Sequence, residues 1–260
     1  MTSDDFKRLC SAARSPWHFF TEHVFTQDPA RGVCRYPDYD YLREFLGVMQ
    51  KERLLLVPKS RQMMVTWSVV AYILWLALFH KSGVYLFISR NERCAEELLD
   101  RARFIIEHLP PYMQPKRLTN SSEEIEFAQI GSRILSLPAS PNGPRMYSPT
   151  AVFWDEMAFT PFDEQIWTAL KPALDSGGQF IGVSSSGGAL NLFAGMITST
   201  TSASSLIPPP SSLPRIHRIH YSVHPERNND AWKHMAQSGL SPTKWEQEQE
   251  ISFDSVEDLV

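Results

Sequence analysis

Cysteine is scarce in this sequence, and no cysteine motif is present. Only Cys10, Cys34 and Cys94 occur in the 260 residues, and none lies in a C-x-x-C pair. This spacing excludes the common zinc and dithiol motifs and predicts free thiols in a reducing compartment. The eight histidines lack an H-E-x-x-H pattern, and those in 217–224 are interpreted as a half-exposed strand and its turn. The sequence therefore predicts no metal site made of cysteine or histidine.

A strong charge of either sign and an apolar leader are also missing. The formal net charge is −4, which argues against general binding of nucleic acid by the whole chain and leaves a local basic patch open. The polar N-terminus, MTSDDFKRLC, does not resemble a signal peptide. Met63–Phe79 is apolar throughout, but its 17 residues span roughly 26 Å as a helix, less than the ~30 Å of a bilayer core. We interpret this segment as a buried helix and expect no membrane partner.

Apolar residues make up 43% of the chain, enough for one α/β domain with a substantial core. Short continuous apolar runs predict strands buried on both faces, and segments with helical spacing separate them. Strands are predicted within 53–58, 84–89, 150–159, 177–188 and 215–223, helices within 36–52, 63–79, 91–109 and 162–174, a hairpin turn at Gly131, and a mobile loop over the Ser/Thr/Pro-rich stretch 198–214. This alternation predicts an α/β fold, a mostly parallel sheet with helices on both faces.

Polar clusters directly follow three of the predicted strands. They are Lys59–Thr66, Asp155–Glu156 and Ser184–Ser186. Ligands of parallel α/β sheets bind at the carboxyl ends of the strands. We therefore expect these clusters to meet at one edge of the sheet.

The first cluster, KSRQMMVT, is a variant of the phosphate-binding pattern GxxxxGK[ST]. Thr66 takes the hydroxyl position, Val65 the lysine position, and Met64 and Lys59 the two glycine positions. A flexible lysine at the start of the loop can still reach a phosphate. Without glycine, the loop must avoid positive φ or carry strain. The alternative is a plain strand–turn–helix junction.

The other two clusters fit the same chemistry. In AVFWDE, Asp155 is placed to hold Mg²⁺ and Glu156 to orient or deprotonate a water molecule. The alternative is a helix N-terminus capped by acids. In GVSSSGG, a serine hydroxyl could sense the γ-phosphate, and the alternative is a Ser/Gly turn.

Taken in order, these motifs resemble the ATPase domain of phage large terminase subunits, the motors that package double-stranded DNA into capsids. KSRQMMVT resembles the family pattern K-S/A-R-Q-x-G-x-S/T, with Met64 in place of glycine, and DEMAF matches D-E-x-A-F. VSSSGG is similar to the third motif, S/T-T-P-x-G, and LPASPNGPRMYSPT is similar to the segment before the second motif, with Arg145 kept and Met146 replacing glycine. The resemblance extends over roughly residues 16–255 and implies a P-loop (RecA/ASCE-like) fold.

The resemblance also implies roles for individual residues, with ATP and Mg²⁺ as cofactors. Lys59 would contact the β- and γ-phosphates, Thr66 and Asp155 would hold Mg²⁺, and Glu156 would activate water. The other roles are Arg61 as a cis sensor over the γ-phosphate, Ser185 as the residue coupling hydrolysis to movement, Arg145 as an arginine finger for a neighbouring subunit, and Ser60, Gln62, Met63, Met64 and Val65 as the rest of the nucleotide-binding loop. Adenine recognition by Tyr39 or Tyr41 is a further expectation.

The residues themselves predict an N-terminal arm with some helix over 1–35. By the resemblance, 36–225 is the ATPase domain and 226–260 a tail leading toward a nuclease domain that is expected to be absent. Nuclease activity is therefore not expected. The expected partners are double-stranded DNA held through its phosphates without sequence readout, a portal protein, a small terminase subunit and further copies in a ring. The expected location is the cytoplasm of a bacterial host.

Two other functions stay open. The missing glycines are compatible with a non-catalytic nucleotide-binding module of the same fold, such as a degenerate prophage remnant. The first two motifs are also compatible with a helicase-like ATPase that acts outside packaging, although the chain has no room for a second RecA-like domain.

Overall fold

The computed structural model describes residues 1–203 and 213–253. Its α-helices are α1 (Ser3–Arg14), α2 (Pro16–His23), α3 (Asp40–Lys51), α4 (Val65–Phe79), α5 (Glu92–His108), α6 (Asp163–Asp175), α7 (Leu192–Ala203), α8 (Asp230–Gln237) and α9 (Pro242–Glu248). Its strands are β1 (Phe25–Asp28), β2 (Gly32–Arg35), β3 (Leu54–Pro58), β4 (Val84–Ser89), β5 (Arg117–Asn120), β6 (Glu124–Phe127), β7 (Arg133–Pro138), β8 (Ala151–Asp155), β9 (Gln179–Ser184) and β10 (Arg215–Ile216). Short 3₁₀-helices cover Gly143–Met146, Met157–Phe159 and Tyr221–Val223.

Eight of these strands form one mixed sheet in the order β10-β3-β9-β8-β4-β7-β6-β5. Neighbours from β10 to β7 pair in parallel, and β6 and β5 add an antiparallel edge. The predicted hairpin joins β6 to β7, and Gly131 adopts φ +68° in its turn, a conformation that glycine adopts without steric cost. The predicted α/β fold class is confirmed.

Successive residues of the central strands point to opposite faces, and both faces are covered. In β3, Leu55 and Val57 join the core beneath α1–α5, whereas Leu56 joins the core beneath α6 and α7. The same alternation separates Phe153 from Trp154 in β8. Continuous apolar runs are therefore needed because each strand is buried on both sides.

Two helices illustrate how the sequence positions the framework. α4 is apolar all round because it lies within the core, and the described residues include no helix that is long and apolar enough to cross a membrane. α5 begins where the Asn91 side chain accepts a hydrogen bond from the Cys94 N–H at 2.9 Å, and it ends just before Pro110. The predicted cap and the predicted stop are both confirmed.

Two predictions about the later part of the chain are wrong within the described residues. Residues 198–203, predicted as loop, belong to α7, and the rest of that loop up to 212 lies outside the described residues. The strand predicted over 215–223 is limited to β10 and a single bridge from Ile219 to Lys59, because the chain then turns into a 3₁₀-helix beside the loop after β3.

The first 35 residues pack against the domain rather than project from it. Phe19 and Phe20 are fully buried in the core beneath α1–α5, and the Trp75 indole N–H of α4 donates to the Ala12 carbonyl at 2.9 Å. The hairpin of β1 and β2 was not predicted. The three cysteines are free thiols, as expected from their spacing.

Candidate nucleotide-binding site

The three polar clusters meet at one edge of the sheet because their strands are neighbours in register. Pro58 at the end of β3 pairs with Ser184 at the end of β9, and Asp155 at the end of β8 pairs with Val183. The chain therefore leaves the sheet at the same level in all three strands, as expected for a ligand site of a parallel α/β fold.

The connection after β3, here called the loop 59–64, is strained in the way that its missing glycines require. Gln62 and Met64 adopt φ +58° and +57°, and Met64 is the residue before the first turn of α4. The backbone thus keeps the left-handed conformation that glycine favours, with larger side chains in its place. Such strain of about 1–3 kcal/mol per residue is concentrated at functional sites in proteins.

Backbone hydrogen bonds fix the start of this loop against two neighbouring segments. The Lys59 N–H donates to the Ser184 carbonyl at 3.0 Å, and the Ser60 N–H donates to the Ile219 carbonyl at 2.9 Å. Ser60 is fully buried, and its hydroxyl accepts from the Tyr221 N–H at 2.9 Å while donating to the Gln249 carbonyl. The loop is therefore held between β9 and the segment that follows β10.

At the other end of the loop, apolar side chains anchor the beginning of α4. Met63 and Val65 are buried, and the Met63 carbonyl accepts from the Tyr41 hydroxyl at 3.3 Å. The Ser68 hydroxyl donates to the Met64 carbonyl at 2.8 Å. The N–H groups in the first turn of α4 have no partner within the helix, so this end of α4 favours an anion.

The functional side chains pair across the edge of the sheet. Lys59 Nζ lies 3.1 Å from Glu156 Oε1, with the lysine side chain 8% exposed and the glutamate 33%. The Thr66 hydroxyl donates to Asp155 at 3.2 Å to Oδ2 and 3.4 Å to Oδ1. The structure thus brings together a cation, a hydroxyl and two carboxylates that the sequence places about 90 residues apart.

Burial and a second acid control the charge of this cluster. Burial, followed by the charge of Glu156, raises the pKa of Asp155 to about 6, and Lys59, Arg101 and the Thr66 hydroxyl oppose the rise. Adjacent acids in a closed site resist simultaneous ionisation, so an added cation would be favoured beside them. Glu156 itself has φ +51°, so this acid also lies at a strained turn.

A cavity of about 350 Å³ opens beside this cluster, within the usual size range of small-molecule sites. Lys59, Thr66 and the loop residues Gln62, Met63 and Met64 line it. Residues that the sequence did not indicate also line it, among them Gln27 of β1, Arg101 of α5 and Arg227 of the tail. The turn signal QDPARG could have indicated the hairpin that carries Gln27, whereas Arg101 and Arg227 have no sequence signal.

Arg61 is paired outside the cluster in this structure. Its Nε lies 2.6 Å from Glu248 Oε2 at the end of α9, and its backbone N–H donates to the Glu248 carbonyl at 2.9 Å. Arg227 donates to the Arg61 carbonyl at 2.9 Å and lies 3.4 Å from Gln62 Oε1. The tail therefore holds the outer side of the loop 59–64.

The third cluster joins the other two. The Ser184 hydroxyl accepts from the Ala158 N–H at 3.2 Å, directly after the two acids. Ser185 is buried, and the Ser186 N–H donates to the Gln247 carbonyl of α9 at 3.4 Å. A Cβ on Gly187 would meet the Ala158 carbonyl oxygen at 2.8 Å, so only glycine permits this approach. The end of β9 and the turn after it thus contact Ala158, the Lys59 backbone and the tail.

The remaining predicted residues lie further from the cluster. Arg145 belongs to the 3₁₀-helix Gly143–Met146 and borders a separate cavity of about 710 Å³ with Thr150 and Gly178, which precede β8 and β9. Tyr39 and Tyr41 stack on each other with ring centroids 6.0 Å apart, behind the start of α4. The structure does not bring Arg145 to Lys59 within one chain.

The cluster suits a hard divalent cation that also binds phosphate. The described residues contain no group of three or more His, Cys, Asp or Glu side chains suited to a metal ion. Thr66, which lines the cavity, nevertheless donates its hydroxyl to the buried Asp155 carboxylate at 3.2 Å. Mg²⁺ in nucleotide sites commonly takes one or two protein oxygens and completes its shell with phosphate and water.

The sheet order, the loop after β3 and the paired acids after β8 define a RecA-like α/β domain. No protein-family model matches the sequence. The ATPase domain of the large terminase of Thermus phage P74-26 has this fold, with a TM-score of 0.57 and 17% identity over 84% of this chain and 100% of that one.

Two longer terminases show the same fold. The HK97 bacteriophage large terminase aligns with a TM-score of 0.70 and 11% identity, over 92% of this chain and 55% of that one. A large terminase from a thermophilic bacteriophage aligns with a TM-score of 0.66 and 8% identity, over 84% of this chain and 54% of that one. The chain therefore spans about half of these two proteins, and the resemblance seen in its motifs is confirmed for the fold.

Proposed function

We propose that this chain binds ATP with Mg²⁺ and hydrolyses it as the motor domain of a phage DNA-packaging machine. The observation that carries the proposal is the meeting of Lys59 with Glu156 and of Thr66 with Asp155 at one edge of this fold. Similarity to the large-terminase ATPase domains supports the motor class. The large terminase of the thermophilic bacteriophage has been solved with ADP and with ATP-gamma-S, which supports the choice of nucleotide.

Lys59 binds the β- and γ-phosphates in this proposal. Its ammonium is nearly buried beside the cavity and is already held by an anion, Glu156. A triphosphate at the N-terminus of α4 offers more negative charge than one carboxylate, so the Lys59 ammonium moves from Glu156 to the phosphates. The N–H groups in the first turn of α4 and the shape of the strained loop complete the cradle, whereas the N–H groups of Ser60 and Arg61 stay bonded to Ile219 and Glu248.

Bound Mg²⁺ would neutralise charge on the phosphates during transfer. The Thr66 hydroxyl and the Asp155 carboxylate would hold it, because they are adjacent and Thr66 lines the cavity. Glu156 accepts the proton of the attacking water once Lys59 has moved to the phosphates. At neutral pH, a glutamate that has lost its cation partner is a competent base.

Three residues act around this centre. Arg61 leaves Glu248 to contact the γ-phosphate, and Arg145 serves the site of a neighbouring copy in a ring. Ser185 lies in the turn that contacts Ala158 and the tail, so it transmits loss of the γ-phosphate to the tail. The tail then moves relative to double-stranded DNA, which is held through its phosphates, with a portal protein and a small terminase subunit as further partners.

The test is ATP turnover with and without duplex DNA. We expect Lys59→Ala and Glu156→Gln each to lower DNA-stimulated turnover by at least about 100-fold, the scale of losing a charge-stabilising or acid–base group. Lys81→Ala, an exposed lysine beyond the opposite end of α4, is the matched control and should retain wild-type turnover. Wild-type rates in both site variants would refute the assignment.

A second function, nucleotide binding without turnover, is favoured by one observation. Gln62 and Met64 keep positive φ without glycine, so the loop is less able to approach phosphates closely. Calorimetry with ATP and Mg²⁺ separates the two functions. Saturable binding that depends on Lys59, together with no phosphate release, would favour this alternative.

A further inference from the structure

A second cavity, of about 410 Å³, shares no lining residue with the nucleotide cavity. Its walls come from α1, α2, the β1–β2 hairpin and the end of α5. We name it the basic pocket after the five side chains that dominate its polar lining: Arg8, His18, His23, Arg35 and His108. Nothing in the proposed ATPase cycle uses these residues.

His23 provides the strongest indication of a ligand. The residue is only 6% exposed, it lines the basic pocket, and its Nε2 has no hydrogen-bond partner. A buried polar atom without a partner costs about 1–3 kcal/mol. An acceptor bound in the pocket would remove this cost.

Two neighbouring side chains are already oriented. Arg35 donates from Nη1 to the Glu22 carbonyl at 2.8 Å, and its guanidinium lies 5.2 Å from the centre of the Phe25 ring. This arrangement fixes the guanidinium and leaves its other N–H groups for a ligand. His108 Nδ1 lies 2.8 Å from the Phe104 carbonyl, which requires a hydrogen on that nitrogen and leaves Nε2 for another contact.

The charges that face the pocket favour an anion. Arg8 and Arg35 outnumber the single carboxylate among the lining residues, Glu22. Burial lowers the pKa of His23, and the charges of His18, Arg35 and Arg8 lower it further, whereas Glu22 raises it. Added positive charge is therefore unfavourable here, which argues against a metal cation. Arg8 is paired with Asp4 at 3.2 Å, but both side chains are mostly exposed, so the pair is easily broken.

We propose that the basic pocket binds a phosphate oxyanion through His23 Nε2, Arg8 and Arg35. A tetrahedral phosphate offers several acceptor oxygens to donors that converge from three elements, and bonds between guanidinium and phosphate are among the stronger hydrogen bonds in proteins. The phosphate could belong to a free phosphate compound or to the backbone of a nucleic acid.

The test follows the imidazole signals of isotope-labelled histidine by NMR while inorganic phosphate replaces chloride at constant ionic strength. We expect a saturable change at His23 with a Kd of about 1 mM, typical of a small ligand held by a few polar contacts, and a rise in the pKa of His23. Arg8→Gln should weaken binding by about tenfold, the loss of one charge-assisted contact. Arg14→Gln, an exposed arginine at the end of α1, should bind as wild type.

Measurements of duplex DNA binding by the same variants then identify the source of the phosphate. If Arg8→Gln also weakens duplex affinity, and lowers the slope of log affinity against log salt concentration by about the amount of one phosphate contact, the ligand is a DNA backbone phosphate. If duplex affinity is unchanged, the ligand is a free phosphate compound. An unsaturable response at His23, or equal phosphate binding by Arg8→Gln and Arg14→Gln, would overturn the proposal whatever the ATPase assays show.

Discussion

Lys59 and Glu156 contact each other at 3.1 Å although β9 lies between the strands that precede them. The pair neutralises the proposed base in the protein without nucleotide. Because a triphosphate competes for the same ammonium, nucleotide binding would release the carboxylate at the moment when it is needed. In the proposed mechanism, the contact would therefore link occupation of the site to activation of water.

The first prediction concerns the buried acid beside this pair. The pKa of Asp155 is raised from 3.8 to about 6 by burial and by Glu156. The folded state therefore holds more protons than the unfolded state between these values, so its stability falls as pH rises through this window and stays reduced above it. We expect Asp155→Asn to be more stable than wild type by about 1–3 kcal/mol at pH 7.5 and equal to it near pH 4.

Urea unfolding of the protein without nucleotide or Mg²⁺ at a series of pH values measures this difference. Asp175→Asn, at an exposed acid at the end of α6, is the control and should stay within about 0.5 kcal/mol of wild type throughout. A less stable Asp155→Asn at pH 7.5 would show that the carboxylate stabilises the fold and that its pKa is not raised.

The second prediction concerns the strain in the loop 59–64. Gln62 is exposed and has φ +58°. A glycine at this position avoids the ~1–2 kcal/mol steric cost of the left-handed conformation. Glycine also loses more backbone entropy on folding than alanine does, but this second cost is somewhat smaller. We expect Gln62→Gly to be more stable than Gln62→Ala by about 1 kcal/mol. Both variants lose the Arg227 contact, so that contact cancels from the comparison.

The matched control is Glu44, an exposed glutamate in the middle of α3. At a helical position glycine is less stable than alanine by about 1 kcal/mol, so the sign of the difference should reverse. Equal signs at the two positions, measured by urea unfolding, would mean that the loop does not keep its left-handed conformation in solution.

Much of the fold could be predicted because burial on both faces leaves a strong signal in the sequence. Runs such as LLLVP and AVFW are apolar throughout, and turn residues separate them from helices with regular spacing. The meeting of Lys59 with Glu156 and of Thr66 with Asp155 could be expected because the strand ends of a parallel sheet share one edge. At the site, the sequence thus indicated which groups are adjacent.

The contributions from outside the central strands could not be predicted in the same way. Gln27, Arg101 and Arg227 reach the cavity through tertiary packing of a hairpin, a helix and the tail. The turn after Gln27 has a sequence signal, but neither Arg101 nor Arg227 stands in a local motif. Arg61 and Glu248 pair across 187 positions of sequence, and nothing in either segment encodes the partner. The segment predicted as a strand over 215–223 leaves the sheet because the Tyr221 N–H donates a hydrogen bond to the Ser60 hydroxyl.

The third prediction tests the position of Arg61. Its contact with Glu248 competes with the proposed contact to the γ-phosphate, and the arginine side chain is 64% exposed. The glutamate side chain is only 18% exposed, but the arginine half of the pair remains in solvent. The pair therefore contributes on the order of 1 kcal/mol, so Glu248→Gln should tighten ATP binding about two- to fivefold. Arg61→Ala should lower the turnover rate by at least about tenfold. Calorimetry and phosphate-release assays measure both effects.

Glu246→Gln is the control for this experiment, because Glu246 is an exposed glutamate on the same helix, α9. It should leave ATP affinity unchanged. If Glu248→Gln behaves as this control does and Arg61→Ala keeps wild-type turnover, Arg61 is only an anchor of the tail.

The fourth prediction concerns Arg145. Its neighbours Thr150 and Gly178 precede β8 and β9, whereas Lys59 and Asp155 stand after the end of β3 and at the end of β8. Arg145 therefore lies toward the opposite edge of the sheet from the nucleotide cavity of its own chain. In a head-to-tail ring, that edge of one copy can approach the cavity of the next. We expect Arg145→Ala to lower DNA-stimulated turnover by about 10³-fold, as for an arginine finger.

Mixing variants separates a residue that acts in a neighbouring copy from one that acts in its own. In a 1:1 mixture of Arg145→Ala with Glu156→Gln, about a quarter of the interfaces of a head-to-tail ring combine an intact Glu156 with an intact Arg145. Turnover should therefore recover toward about one quarter of the wild-type rate if interfaces act independently. A mixture of Lys59→Ala with Glu156→Gln is the control, because both residues serve the same cavity and no interface is restored. Recovery in the control, or none in the first mixture, would show that Arg145 does not act on the neighbouring site.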